Sequence, residues 1–177
     1  MSEINEKVKK MNEFIESHKQ FSADSLLYDD IIKTLGCDYV KAKFFASLMC
    51  NVISFYAILY SMGYLSLSFS DFIKDLIKNG DVTKQKPYWL LTEKETILKR
   101  LNIPIKLDVY KLEQKKPEGF YQIKISNYKG THFMAGYVEN ENLKISDTSF
   151  RGIGIGIEKG LAKDDKIIFI KHYKEVS

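Results

Sequence analysis

The rhythm of apolar and polar positions changes once along the chain, near residue 103. Upstream, apolar residues recur every three or four positions. Ile4, Val8, Met11, Phe14 and Ile15 mark one face of a helix from Glu3 to about His18. Asp24 is placed to cap a second helix through SLLYDDIIKTL, which Gly36 ends. A long apolar segment from Cys37 to Met62 follows, stopped by Gly63. Ser70 is the expected cap of DFIKDLIKN, with Gly80 as its stop, and Thr92 and Glu95 have the spacing of a capping box for EKETILKRL. Downstream the period falls to two. IPIKLDVYKL, FYQIKIS, THFMAGYVE, NLKISDT and DKIIFIKHYKE read as strands separated by Gly, Asn or Pro turns. Helices followed by hairpin strands make an α+β chain. We expect one domain over residues 1–177, with residues 1–20 as a helical N-terminal extension. Residues 38–62 form a single buried helix in this reading, packed on a C-terminal antiparallel sheet.

Residues 44–70 carry no charged side chain, a length sufficient to cross a bilayer. The stretch also holds Asn51, several serines, Gly63 and three tyrosines, and its second half reads as a turn. A helix apolar on all sides is equally the central helix of a water-exposed domain. The core-helix reading is preferred, and a membrane-associated accessory protein is the alternative it leaves.

Charge narrows the partners. The net charge is +4, but only Arg100 and Arg151 are arginines, and the lysines are scattered among acids. A nucleic-acid surface clusters its basic residues and favours arginine, so no nucleic-acid partner is expected. Two cysteines do not make a disulfide framework. On one helix, Cys37 and Cys50 would lie ~20 Å apart, too far to bridge. MSEINEKVKKMNEFIESHK has no apolar core of the kind a signal peptide uses, so a reducing, cytoplasmic setting is expected.

The candidate chemistry begins at Cys37. It follows Gly36 and sits where the long helix should start, and unpaired N–H groups there favour a thiolate. Asp38 opposes that effect. Cys50, inside the apolar segment, reads as a small hydrophobe. His18 and His172 stand among charged residues and read as surface side chains. His132 instead opens the most apolar strand, and Asp147 closes the next one on the face of Leu143 and Ile145. If ENEN (139–142) makes the turn, Val138 opposes Leu143. His132 then faces Ser149, with Asp147 its diagonal neighbour on the same face, ~7–8 Å away at the backbone. A slip of one residue would put the two on opposite faces. Asp147 capping the turn at DTSFRG is the simpler alternative.

GCDYVKAKFFASL, then other helices, then THFMAGYVENENLKISD, has the order Cys, His, Asp along about residues 25–175. In this it resembles the papain-like cysteine peptidases, most closely the compact bacterial enzymes that trim double-glycine leaders and their peptidoglycan-cleaving relatives. The chain also resembles an uncharacterised spirochaete family linked with prophage-like plasmids, which implies no activity by itself. The first resemblance implies a cysteine peptidase or amidase with Cys37 as nucleophile, His132 as base and Asp147 as orienting acid. It implies a peptide or peptidoglycan-like substrate and neither cofactor nor metal. Such enzymes carry a glutamine shortly before the cysteine whose amide binds the oxyanion. YDDIIKTLGC has none, and the nearest upstream is Gln20. Tyr28 or the Cys37 N–H is then the stand-in, although Asp29 and Asp30 would repel an oxyanion. Gly36 would let a substrate backbone approach, and Trp89 is either a core anchor or a groove wall. A catalytically silent papain-like binding domain is the alternative. RGIGIGIEKG has Gly-x-Gly spacing, but no helix and distal acid follow, so a dinucleotide is not expected.

Overall fold

In a computed structural model, residues 2–82, 91–128, 130–148, 153–155 and 164–177 are described. Among the described residues six helices precede the sheet: α1 (Glu3–Ser17), α2 (Leu26–Leu35), α3 (Tyr39–Ala46), α4 (Cys50–Ser61), α5 (Phe69–Lys78) and α6 (Lys94–Arg100). Six strands follow: β1 (Ile105–Tyr110), β2 (Gly119–Asn127), β3 (Gly130–Glu139), β4 (Asn142–Asp147), β5 (Ile153–Ile155) and β6 (Lys166–Glu175). They form one antiparallel sheet in the order β1-β6-β2-β3-β4-β5. The α+β class is as the change of period implied.

Helix ends depart from expectation by a residue or more, each for a local reason. Ser25 and Ser68 cap α2 and α5, accepting from the amides of Leu27 and Asp71, in place of Asp24 and Ser70. α6 starts at Lys94 with no side-chain cap, so Thr92 and Glu95 form no capping box; the Thr92 amide bonds the Asp81 carbonyl instead.

The larger departure is in the charge-free segment. Residues 38–62 make two helices that meet at 75°, broken at Ser47–Met49. Among the described residues no single helix is long and apolar enough to cross a membrane; α3 and α4 would satisfy length and composition only as a bent pair. The break has a visible cause. In a continuous helix the Ala46 carbonyl would accept from the Cys50 amide. Here it accepts from the Met49 amide at 3.2 Å and from the Gln20 side chain at 2.8 Å. Ser47 Oγ likewise takes the Phe44 carbonyl at 2.6 Å. Cys50 thereby becomes the first residue of α4 rather than a mid-helix one.

Ten of the twelve residues of α4 are buried. They pack against α1 and α5 and against the sheet face bearing Phe120, Ala135, Tyr137 and Tyr173. A second cluster, with Tyr121, Ile123, Met134, Val138, Leu143 and Ile145, occupies the alternate positions of the strands. Each large side chain so buried contributes roughly 1.5–3 kcal/mol, so α4 is the helix the fold is built around.

The β3–β4 hairpin has the expected register. Val138 opposes Leu143 and Met134 opposes Asp147. Asn140 and Glu141 form the two-residue turn with φ of 49° and 66°, the pair of left-handed residues a tight hairpin of the favoured twist requires. His132, two residues from Met134, therefore shares a face with Asp147. Ser149, its expected opposite, lies outside the described residues.

Candidate active site

The hairpin register brings two distant polar residues together. His132 Nε2 lies 2.7 Å from Asp147 Oδ1. A carboxylate only accepts, so Nε2 carries the proton and donates, which leaves Nδ1 for a second partner. Cys50 is the other side chain that acts on the imidazole. Asp147 is fully buried, His132 half-buried, and Cys50 is 9 % exposed. Burial alone pushes the imidazole down, but the Asp147 carboxylate and the Cys50 sulfur outweigh it and raise the value to about 9. Each partner stabilises the protonated ring.

Of the two cysteines, Cys50 and not Cys37 is the one that acts on His132. Cys37 stands between the left-handed Gly36 that ends α2 and the Asp38 that caps α3, half-buried against the helical core. Asp38 accepts from the Lys41 amide, so the helix start at Cys37 is already occupied by a carboxylate. One helix over 38–62 would put Cys50 in its interior, whereas the break makes it the first residue of α4. The signal that was available is the polar stripe Cys50, Asn51 and Ser54, one helical turn long on an otherwise apolar helix.

That stripe is held by Gln122, a fully buried residue of β2. Its Nε2 donates to Ser54 Oγ at 2.6 Å and to Asn51 Oδ1 at 3.2 Å. The first turn of α4 is thus pinned to the sheet. At the opposite side, Gln20 spans the two halves of the site. Its amide donates to Ala46, its carbonyl accepts from Thr148 Oγ1 at 2.8 Å, and its backbone N–H bonds the Thr148 carbonyl at 2.9 Å. Lys19 Nζ adds a 2.6 Å bond to the Asp147 carbonyl. Lys19 and Gln20, just after α1, thereby tie the end of β4 to the break before Cys50. The N–H groups of Cys50, Asn51 and Val52 open α4 without intrahelical acceptors, which makes a site for developing negative charge.

The other expected residues fall elsewhere. Tyr28 is buried and spends its hydroxyl on the Gln20 carbonyl at 2.8 Å, so it supports Gln20 rather than an oxyanion. Gly36 caps α2 with φ 62°, and Trp89 lies outside the described residues. Asp30 does not threaten the site, since it receives His18 Nε2 at 3.1 Å and Ser70 Oγ at 3.3 Å. His18 and His172 are not surface residues: both are buried, His18 stacked on Phe14 and His172 on Tyr121.

Cys50 opens onto a cleft of about 420 Å³, bounded by the α3–α4 break, the start of α6 and side chains of β2, β3 and β6. Among the described residues no group of three or more His, Cys, Asp and Glu side chains is gathered to hold a metal ion. Comparison of the chain with protein-family models, with curated proteins and with solved structures found no match.

Proposed function

We propose that the protein is a small papain-like cysteine peptidase or amidase that cleaves peptide or peptidoglycan amide bonds, with Cys50 as nucleophile. The observation that carries the reading is the His132 imidazole held between the Cys50 thiol and the Asp147 carboxylate at the start of a buried helix. A nucleophile, a base and a group that orients the base are the three parts that thiol catalysis needs.

The steps follow from the geometry. With its value raised to about 9, His132 already holds the proton that Cys50 gives up, and the imidazolium is stabilised by Asp147 through Nε2–H. The thiolate attacks the substrate carbonyl carbon. The negative oxygen forms beside the opening N–H groups of α4, where fixed donors stabilise it without reorganising. Collapse breaks the C–N bond as the imidazolium protonates the departing amine, leaving a thioester on Cys50. Water, deprotonated by His132, then attacks the thioester and releases the acid and the free thiol. The Cys50 amide and Gln20, which positions it, take the part that Tyr28 and Cys37 were expected to play.

Fluorophore-labelled casein and purified peptidoglycan test this. Release of label or soluble fragments is expected from the native protein and from Cys37→Ala, and its loss is expected in Cys50→Ala. Activity that survives Cys50→Ala would overturn the reading. Tight binding of either material with no release would favour a silent binding domain of the same fold.

A further inference from the structure

The walls of the cleft beside Cys50 are unusual in their charge. Lys94, Lys124 and Lys171 line it together with Phe133 and Phe169, and Glu93 is the only acid among the described lining residues. None of the three lysines makes a hydrogen bond or ion pair with a described residue, whereas Lys7, Lys19, Lys115 and Lys144 elsewhere each have an acid partner. They rest on ring faces instead. Lys94 Nζ is 5.0 Å from the Phe133 centroid, Lys124 Nζ 5.3 Å from the same ring, and Lys171 Nζ 4.9 Å from that of Phe169. Lys94 is the telling member, only 7 % exposed and in no ion pair with a described residue. Burial, then Lys171 and Lys124, push its ammonium down to about 8, with Glu95 and Glu93 pulling the other way.

Three cations gathered on two aromatic rings repel one another, and a buried one has also lost its hydration. The ring faces offset part of that cost. A carboxylate entering between them would supply the missing counter-charge, and the rings would pack against the chain that carries it. Because Cys50 forms part of the same wall, that carboxylate would lie close to the reacting carbonyl.

We propose that the substrate of the Cys50 site is an acidic peptide or amide, bound by Lys94, Lys124 and Lys171 through a carboxylate next to the scissile bond. This rests on the reading of Cys50 as nucleophile, and the test separates the two. Cys50 and Cys37 are alkylated in the folded protein with iodoacetate and with iodoacetamide, which transfer similar groups to sulfur with loss of iodide but differ by one negative charge. Peptide mapping gives the two rates at each cysteine.

The iodoacetate-to-iodoacetamide ratio at Cys50 should exceed that at Cys37 by about tenfold at low salt, the lower end of electrostatic steering. It should shrink at 1 M salt, where screening acts within about 3 Å. The His132 imidazolium also favours the anion, so the decisive comparison keeps His132 and changes the lysines. Lys124→Met with Lys171→Met should bring the ratio down severalfold, and Lys94→Met, which retains the buried stem, should do the same. A Cys50 that reacts briskly with no anion preference, or with one the lysine changes leave intact, overturns the acidic-substrate proposal while the nucleophile stands. A Cys50 no faster than Cys37 with either reagent overturns the nucleophile itself. A degenerate peptide library in free-acid and amidated forms then identifies the source of the carboxylate. Asp or Glu enriched beside the cut in both forms means a side chain, and cleavage confined to the free acid means a C-terminus. Cleavage indifferent to both contradicts the proposal.

Discussion

Burial by itself would leave the His132 imidazole neutral, because a desolvated cation loses its hydration, yet Asp147 and Cys50 lift it to about 9. That value lies above the ~6.5 of an unfolded histidine. The stabilisation it contributes is therefore complete below about pH 6.5 and is lost as the pH climbs through about 9. Denaturation midpoints of the native protein and His132→Gln should differ most at the acid end and converge above about pH 9. A gap that widens with pH would contradict this. Asp147→Asn removes the group that offsets burial, so turnover should fall by roughly 10²–10⁴-fold, the usual range for a lost acid–base contribution, with folding retained. A second residue-scale constraint lies at Gly119, whose φ is 139° and where a Cβ would come 2.7 Å from His172 Nε2. Gly119→Ala should destabilise by about 1–3 kcal/mol in urea unfolding, through strain and overpacking.

Among the elements, the break between α3 and α4 matters most and was the least legible in the sequence. No Gly or Pro lies between residues 38 and 62, so nothing local announces it. Its cause is tertiary: Gln20, 26 positions upstream of Ala46, occupies the carbonyl that a continuous helix would use. The β3–β4 hairpin was legible because two features agreed. Asn140-Glu141 gives a two-residue turn, and strict alternation then places His132 and Asp147 on one face. The caps were missed by a residue or two because serines at 25 and 68 compete with polar neighbours that local sequence ranks equally. Gln20→Ala would leave the Ala46 carbonyl and the Thr148 hydroxyl short of a partner, at a cost of about 1–3 kcal/mol. If Gln20 also positions the site, Cys50 alkylation should slow in this variant while that of Cys37 is unchanged. A Cys50 rate unchanged from that of the native protein would reduce Gln20 to a structural role.

At the scale of the molecule, one buried helix packed on an antiparallel sheet carries the thiol, and the sheet carries its partners. The class of the fold was readable from a single change of period near residue 103. Which cysteine it serves was not, since that depends on how α1's trailing segment meets the end of β4. Phe55, fully buried in α4, should cost about 3–5 kcal/mol as Phe55→Ala, whereas Val40→Ala, at a side chain 76 % exposed, should stay within about 0.5 kcal/mol. The proposed chemistry depends most directly on Cys50 facing His132, and site-resolved alkylation by iodoacetamide near pH 6.5 tests it in one preparation. Cys50 should be modified well before the half-buried Cys37, and His132→Ala should slow Cys50 alone. Modification of Cys37 first, or of both cysteines at one slow rate that His132→Ala leaves unchanged, would contradict it.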